Sequence, residues 1–168
     1  MTDAMKYIGN FAEFIQDEWI EEIMSKDGKA RPRDWPPAFK HESDEYKKAR
    51  DAGYDLEGVH WFVFDPPDLS FKLNFPFLKN DYHWWVTKLL PGQYMPMHSD
   101  PHVYERDGTR YWIPLQDYHS GHVFIYNDKL MTDYKKGDVF VFLDSYDVHG
   151  AANIGHQTRL SLLITEYT

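Results

Sequence analysis

Cysteine is missing altogether from the 168 residues. Disulfide staples, thiolate-held zinc, iron–sulfur clusters and a thiol nucleophile are therefore excluded, and any metal has to sit on His, Asp or Glu. Positive charge is scarce: 18 Lys and Arg against 27 Asp and Glu leave a formal net charge of −9. That balance argues against nucleic acid and anionic membrane as partners. The short basic groups Arg31/Arg33 and Lys47/Lys48/Arg50 read as a loop and a solvated helix face. No apolar run approaches the ~18 residues of a membrane helix. The start, MTDAMKYIGNFAEF, lacks the basic, apolar and small-residue succession of a secretory signal. The expectation is a soluble, cytoplasmic, single domain over residues 1–168 whose substrate is a small molecule or a peptide.

The first half of the chain is irregular. From Met5 to about Ser25 the apolar residues Ile8, Phe11, Ile15, Trp19, Ile20 and Ile23 recur mostly at three- and four-residue spacing, which predicts an amphipathic helix ending at Asp27-Gly28. Residues 29–41 carry three prolines and read as irregular. Ser43 followed by DEYKKARDA and Gly53 reads as a short surface helix with an N-cap and a C-cap glycine. Between Val59 and Leu78 the aromatic, proline-broken sequence fits one or two short strands and loops. Residues 1–80 are thus expected to cover a core that lies in 81–168.

From Tyr82 onward short apolar runs alternate with turn residues. HWWVTKLL precedes Pro91-Gly92, RYWIPL precedes Gln116-Asp117, HVFIY precedes Asn127-Asp128, Gly137-Asp138 opens VFVFL, and RLSLLITEY closes the chain. Six to eight short strands without intervening helices describe a mainly β architecture. The fold expected is a small jelly-roll barrel, a cupin-like double-stranded β-helix, with the N-terminal helices packed outside.

His98-Ser99-Asp100 is the first chemical signal, because residues i and i+2 of an extended segment point to one side and can present an imidazole and a carboxylate to one ion. With 9 His and 18 Asp, about one His-x-Asp arises by chance, so its context decides its meaning. His149 follows the strand DVFVFL 51 residues later, enough chain for a late jelly-roll strand to return beside an early one. Two imidazoles and one carboxylate make the facial triad of non-haem Fe(II) oxygenases, a donor set that also accepts Mn, Co or Zn. Arg159 opens the last strand with Ser161 two places on, so that guanidinium and hydroxyl share a face. A buried Arg is suited to the remote carboxylate of a diacid, because it pairs bidentately and keeps its charge when desolvated.

Taken together, Pro91-Gly92-Gln93-Tyr94-Met95-Pro96-Met97-His98-Ser99-Asp100, Gly137 to Phe142, His149 and Arg159-Leu160-Ser161 resemble the Fe(II)- and 2-oxoglutarate-dependent oxygenase superfamily, in its short single-domain members. The likeness spans roughly residues 82–168. It implies iron on His98, Asp100 and His149, and 2-oxoglutarate on Arg159 and Ser161. It further implies O₂ as oxidant and hydroxylation of a C–H bond with release of succinate and CO₂. The Gly-Gln-Tyr ahead of His98 is similar to prolyl 4-hydroxylase-like enzymes, where the tyrosine assists with 2-oxoglutarate. An extra residue separates Tyr94 from His98 here. The small Gly150-Ala151 after His149 would let a co-substrate approach, or serve a turn.

For the substrate side, Arg110, Trp112 and His102 are the candidates; alternation points Arg110 and Trp112 together either into the pocket or out of it. His119 and His122 flank Ser120-Gly121 and read as a solvated turn. Two further readings stand beside the oxygenase: a cupin-like metal enzyme that does not use 2-oxoglutarate, and a non-catalytic jelly-roll binding module.

Overall fold

The computed structural model describes residues 5–32, 59–100, 108–144 and 146–167. These form two antiparallel sheets. Numbered along the chain, the strands are β1 (Lys6–Asn10), β2 (Lys29–Pro32), β3 (Val59–Phe64), β4 (Tyr82–Leu89), β5 (Tyr94–His98), β6 (Gly108–Pro114), β7 (His122–Tyr126), β8 (Lys129–Leu130), β9 (Asp138–Val141), β10 (His149–Asn153) and β11 (Arg159–Tyr167). The large sheet runs β1-β9-β6-β11-β4-β3-β2 and the small one β5-β10-β7-β8. From β4 to β11 the chain passes back and forth between the sheets at every connection except the β7–β8 hairpin, which is the winding of a jelly roll. That hairpin turns on Asn127 and Asp128, both with positive φ as a type I′ turn requires. No ladder joins the two sheets among the described residues, so the jelly roll is a pair of facing sheets.

The N-terminal half departs most from expectation. The single helix foreseen over Met5–Ser25 is a strand, β1, then a 3-10 turn (Ala12–Phe14) and a shorter helix, α1 (Asp17–Ser25). Gly9 explains the strand. Its φ of 141° lies outside the helical region, and glycine inside a helix costs about 1 kcal/mol relative to alanine. As a strand, KYIGN pairs with the otherwise open edge of β9. The segment beginning at residue 29 is not irregular at its start, because β2 pairs with β3 there. The N-terminal half therefore extends the large sheet at both edges as well as covering it. The helix expected from Ser43 to Gly53 lies outside the described residues.

Two apolar clusters follow from the alternation of β11. Leu160, Leu162 and Ile164 point outward and pack with Val86, Ile113, the α1 residues Trp19 and Ile23, and the loop residues Leu69, Leu73 and Phe75. Trp19 stacks on Phe71 at 4.4 Å, and Phe71 on Trp84 at 5.2 Å. The Lys88 ammonium donates to the carbonyls of Ile23, Met24 and Lys26 and so satisfies the C-terminal end of α1. The second cluster lies between the sheets and contains Trp61, Leu89, Trp112, Phe124, Tyr126, Phe142 and Leu163. This inner layer carries the polar chemistry.

Candidate metal centre

Strand pairing brings the triad together. His149 of β10 stands directly across from His98 of β5, and their ring centroids are 4.3 Å apart. Asp100, two residues past His98, sits 3.5 Å from His98 Nε2 through Oδ1 and 3.3 Å from His149 Nε2 through Oδ2. One potential ligand atom from each of the three lies within 4.8 Å of the others. Adjacent ligands on an ion at about 2.1 Å stand roughly 3 Å apart, so the spacing suits a divalent cation.

The backbone fixes both imidazoles in the same tautomer. His98 Nδ1 faces Pro96 O at 2.7 Å and His149 Nδ1 faces Asp147 O at 3.1 Å. A carbonyl only accepts, so each Nδ1 carries a proton, and in the neutral ring each Nε2 then holds the lone pair. His149 Nε2 is buried with no hydrogen-bond partner, the condition of a nitrogen that fits a metal. Asp147 is itself clamped. Its carboxylate accepts from Tyr126 Oη and from Asn127 Nδ2, and these bonds outweigh burial and hold its pKa below the usual carboxylate value. Burial, and then the facing His149, push His98 down to about 4, so it is neutral near pH 7. For Asp100 burial acts upward, but His149, Arg110 and His98 together pull it below the ordinary range.

A bulge in β5 decides the fate of Tyr94. Between the pairs His149↔His98 and Ala151↔Met95, β10 advances two residues and β5 three. The extra residue noticed in the sequence is thus a β-bulge, and it inverts the alternation upstream of it. Met95 packs against the inner cluster while Tyr94 is 37% exposed. Gly150 serves the same bulge: a Cβ there would lie 2.7 Å from Met97 Sδ, so the glycine admits the close approach of β5.

Arg159 and Ser161 lie on the inner face of β11, each 2% exposed. Arg159 Nε and Nη2 and Ser161 Oγ have no hydrogen-bond partner. The guanidinium sits 5.5 Å from the Phe124 ring and 5.9 Å from the Trp112 ring. Burial lowers its pKa, and its hydrogen bond with the Tyr134 hydroxyl acts in the opposite sense. Among the described residues no carboxylate pairs with it. An uncompensated buried guanidinium is costly, and a fork of free donors is what a carboxylate ligand would satisfy.

Arg110 and Trp112 point inward together. Arg110, 3% exposed, donates to Asp100 through Nη1 and lies over the rings of Phe142 at 4.6 Å and Trp85 at 5.1 Å. Trp112 stacks on Phe124 at 4.2 Å and lies 5.9 Å from the Arg159 guanidinium. His102 lies outside the described residues. His122 is not in a solvated turn; it is buried on β7 with Nε2 on Gln157 O at 2.9 Å. Tyr134 and Phe124, which complete the surroundings of Arg159, had no signal in the sequence, because neither belongs to a motif and both arrive from distant strands or loops.

No protein-family model matches the chain, and no curated protein does. Among solved structures the chain is similar to a predicted oxalate decarboxylase of Thermotoga maritima, with 23% identity and a TM-score of 0.38, covering 51% of this chain and 66% of that one. It is also similar to an uncharacterized conserved protein with a double-stranded β-helix domain from Klebsiella pneumoniae, with 19% identity, a TM-score of 0.43 and coverage of 70% and 80%. Salicylate 1,2-dioxygenase of Pseudoaminobacter salicylatoxidans matches at 12% identity and a TM-score of 0.43, over 73% of this chain and 29% of that one. Likeness at this level does not carry chemistry, which is argued below from the residues. No helix among the described residues is long and apolar enough to cross a membrane.

Proposed function

We propose that the chain is an Fe(II)- and 2-oxoglutarate-dependent dioxygenase that hydroxylates a small molecule or peptide, with His98, Asp100 and His149 holding the metal and Arg159 and Ser161 anchoring the co-substrate. The observation that carries the reading is the pairing of the His-Asp-His cluster with a buried guanidinium that lacks any carboxylate partner among the described residues. A ferrous ion in such a site supplies the oxidising chemistry: with O₂ it couples decarboxylation of 2-oxoglutarate to hydroxylation of a C–H bond. The protein's part is arrangement. The Pro96 and Asp147 carbonyls aim the two Nε2 atoms, and the proton each Nδ1 carries stays where those carbonyls hold it. Arg110 holds one oxygen of Asp100 and leaves Oδ1 beside His98. Arg159 and Ser161 present donors to the far carboxylate of the diacid, while Trp112, Phe124 and Phe142 keep water from the reacting groups.

A carboxylate ligand at the centre favours hydroxylation. Enzymes of the resembling superfamily that halogenate lack it. The test is a succinate-release screen over peptides, free amino acids and nucleosides, with and without 2-oxoglutarate. Succinate formed only with 2-oxoglutarate and lost in Arg159→Ala is the expected result. Turnover that continues in Arg159→Ala would instead favour a cupin-like metal enzyme without an oxo-acid. A protein with no stoichiometric metal and unchanged stability in His98→Ala would be a binding module.

A further inference from the structure

The inner layer holds a buried guanidinium whose donors the proposed reaction does not all use. Arg110 is buried beside the faces of Trp85 and Phe142. It gives Nη1 to Asp100, yet its Nε is buried without a hydrogen-bond partner. Thr165, which is fully buried, stands directly opposite Arg110 across the β6–β11 ladder, and its Oγ1 is also without a partner. Directly opposed residues in a sheet share a face, so both side chains belong to the inner wall. Arg159 is six residues upstream of Thr165 on the same strand, about 20 Å along the backbone. The His149 ring lies between the two ends, 4.9 Å from Phe142 on the Arg110 side and 6.5 Å from Phe124 on the Arg159 side.

The open donors turn this placement into a substrate class, an inference that rests on the function proposed above. Arg110 pairs with the Asp100 carboxylate and keeps Nε without a partner, and Thr165 Oγ1 on the same face is without one too. A buried guanidinium with an open donor is best matched by a carboxylate, and Arg110 stands at the end of the site away from Arg159, the proposed anchor of 2-oxoglutarate. We propose that the substrate carries a carboxylate, received by Arg110 Nε and Thr165 Oγ1 on the side of the metal triad away from Arg159. A guanidinium N–H and a hydroxyl on one face match a planar anion with two acceptor oxygens. If Arg110 served Asp100 alone, Thr165 would have no part in recognition.

The experiment uses the full chain loaded with Mn(II) and 2-oxoglutarate and titrates matched acid and amide probes by calorimetry: butyrate and butyramide, benzoate and benzamide, N-acetylglycine and its amide, with inorganic phosphate as a further arm. At least one acid should bind tenfold or more tightly than its amide, and Thr165→Val and Arg110→Met should each erase that preference. The 2-oxoglutarate titration of each variant checks that the site is still assembled, and Thr165→Val covers the case in which Arg110→Met does not fold. Equal binding of acids and amides, no binding of any acid, an unchanged preference in Thr165→Val, or phosphate as the tightest probe would each overturn the proposal while leaving the dioxygenase reading intact. Failure of 2-oxoglutarate itself to bind would end both.

Discussion

The two faces of β11 show how differently one strand can be used. Outward, Leu160, Leu162 and Ile164 are buried against apolar partners, and the one acid, Glu166, is saturated: Oε1 accepts from the backbone N–H groups of Lys79 and Asn80, and Oε2 accepts from Tyr111 Oη at 2.9 Å. Inward, Arg159, Ser161 and Thr165 are equally buried and leave donors without partners. Folding alone favours the first arrangement, because each buried polar group without a partner costs about 1–3 kcal/mol. The second persists where a ligand supplies the missing acceptors. The outer face therefore stabilises the domain, and on the proposed function the inner face gives up stability for binding.

Substitutions on the two faces should separate accordingly. Leu162→Ala empties a fully buried position and should cost about 2–5 kcal/mol in denaturant unfolding, with 2-oxoglutarate affinity kept in whatever fraction remains folded. Arg159→Met should do the reverse. It should lower 2-oxoglutarate affinity at least 100-fold, about 2.7 kcal/mol, in calorimetry, while the melting temperature of the ligand-free protein stays level or rises, since a desolvated charge with open donors has been removed. Glu166→Gln should cost about 1 kcal/mol near pH 7 and leave ligand affinity alone. Burial acts to raise the Glu166 pKa, but the Lys79 and Asn80 N–H groups and the Tyr111 hydroxyl together lower it below the usual carboxylate value. Its contribution is thus present above the ordinary glutamate range and is lost as pH falls through the lowered pKa, so the variant should show a flatter acid limb in stability against pH.

The same contrast explains what could be read from the residues alone. The strands after Tyr82 were legible because alternation and turn residues such as Asn127-Asp128 are local signals. The order and spacing of His98, Asp100, His149 and Arg159 were legible as a set. Whether Arg110 faced in or out was not, because that parity depends on which β11 residue it pairs with, and only the register with Thr165 decides it. The extra residue after Tyr94 was visible, but its consequence, a bulge that turns the tyrosine outward, needs the partner strand β10. The N-terminal strand was hidden for a different reason. Ile8 and Phe11 suit a helical spacing, and what decides for a strand is the unpaired edge of β9, more than a hundred residues away.

The central claim is most directly tested by anaerobic titration of the purified chain with Fe(II) and then 2-oxoglutarate, followed by visible absorption. The expected result is one ion per chain and a charge-transfer band that appears with 2-oxoglutarate, is missing in His149→Ala and needs far more co-substrate in Arg159→Met. A chain that takes up no stoichiometric ion, or binds iron without the band at any concentration of 2-oxoglutarate, would contradict it.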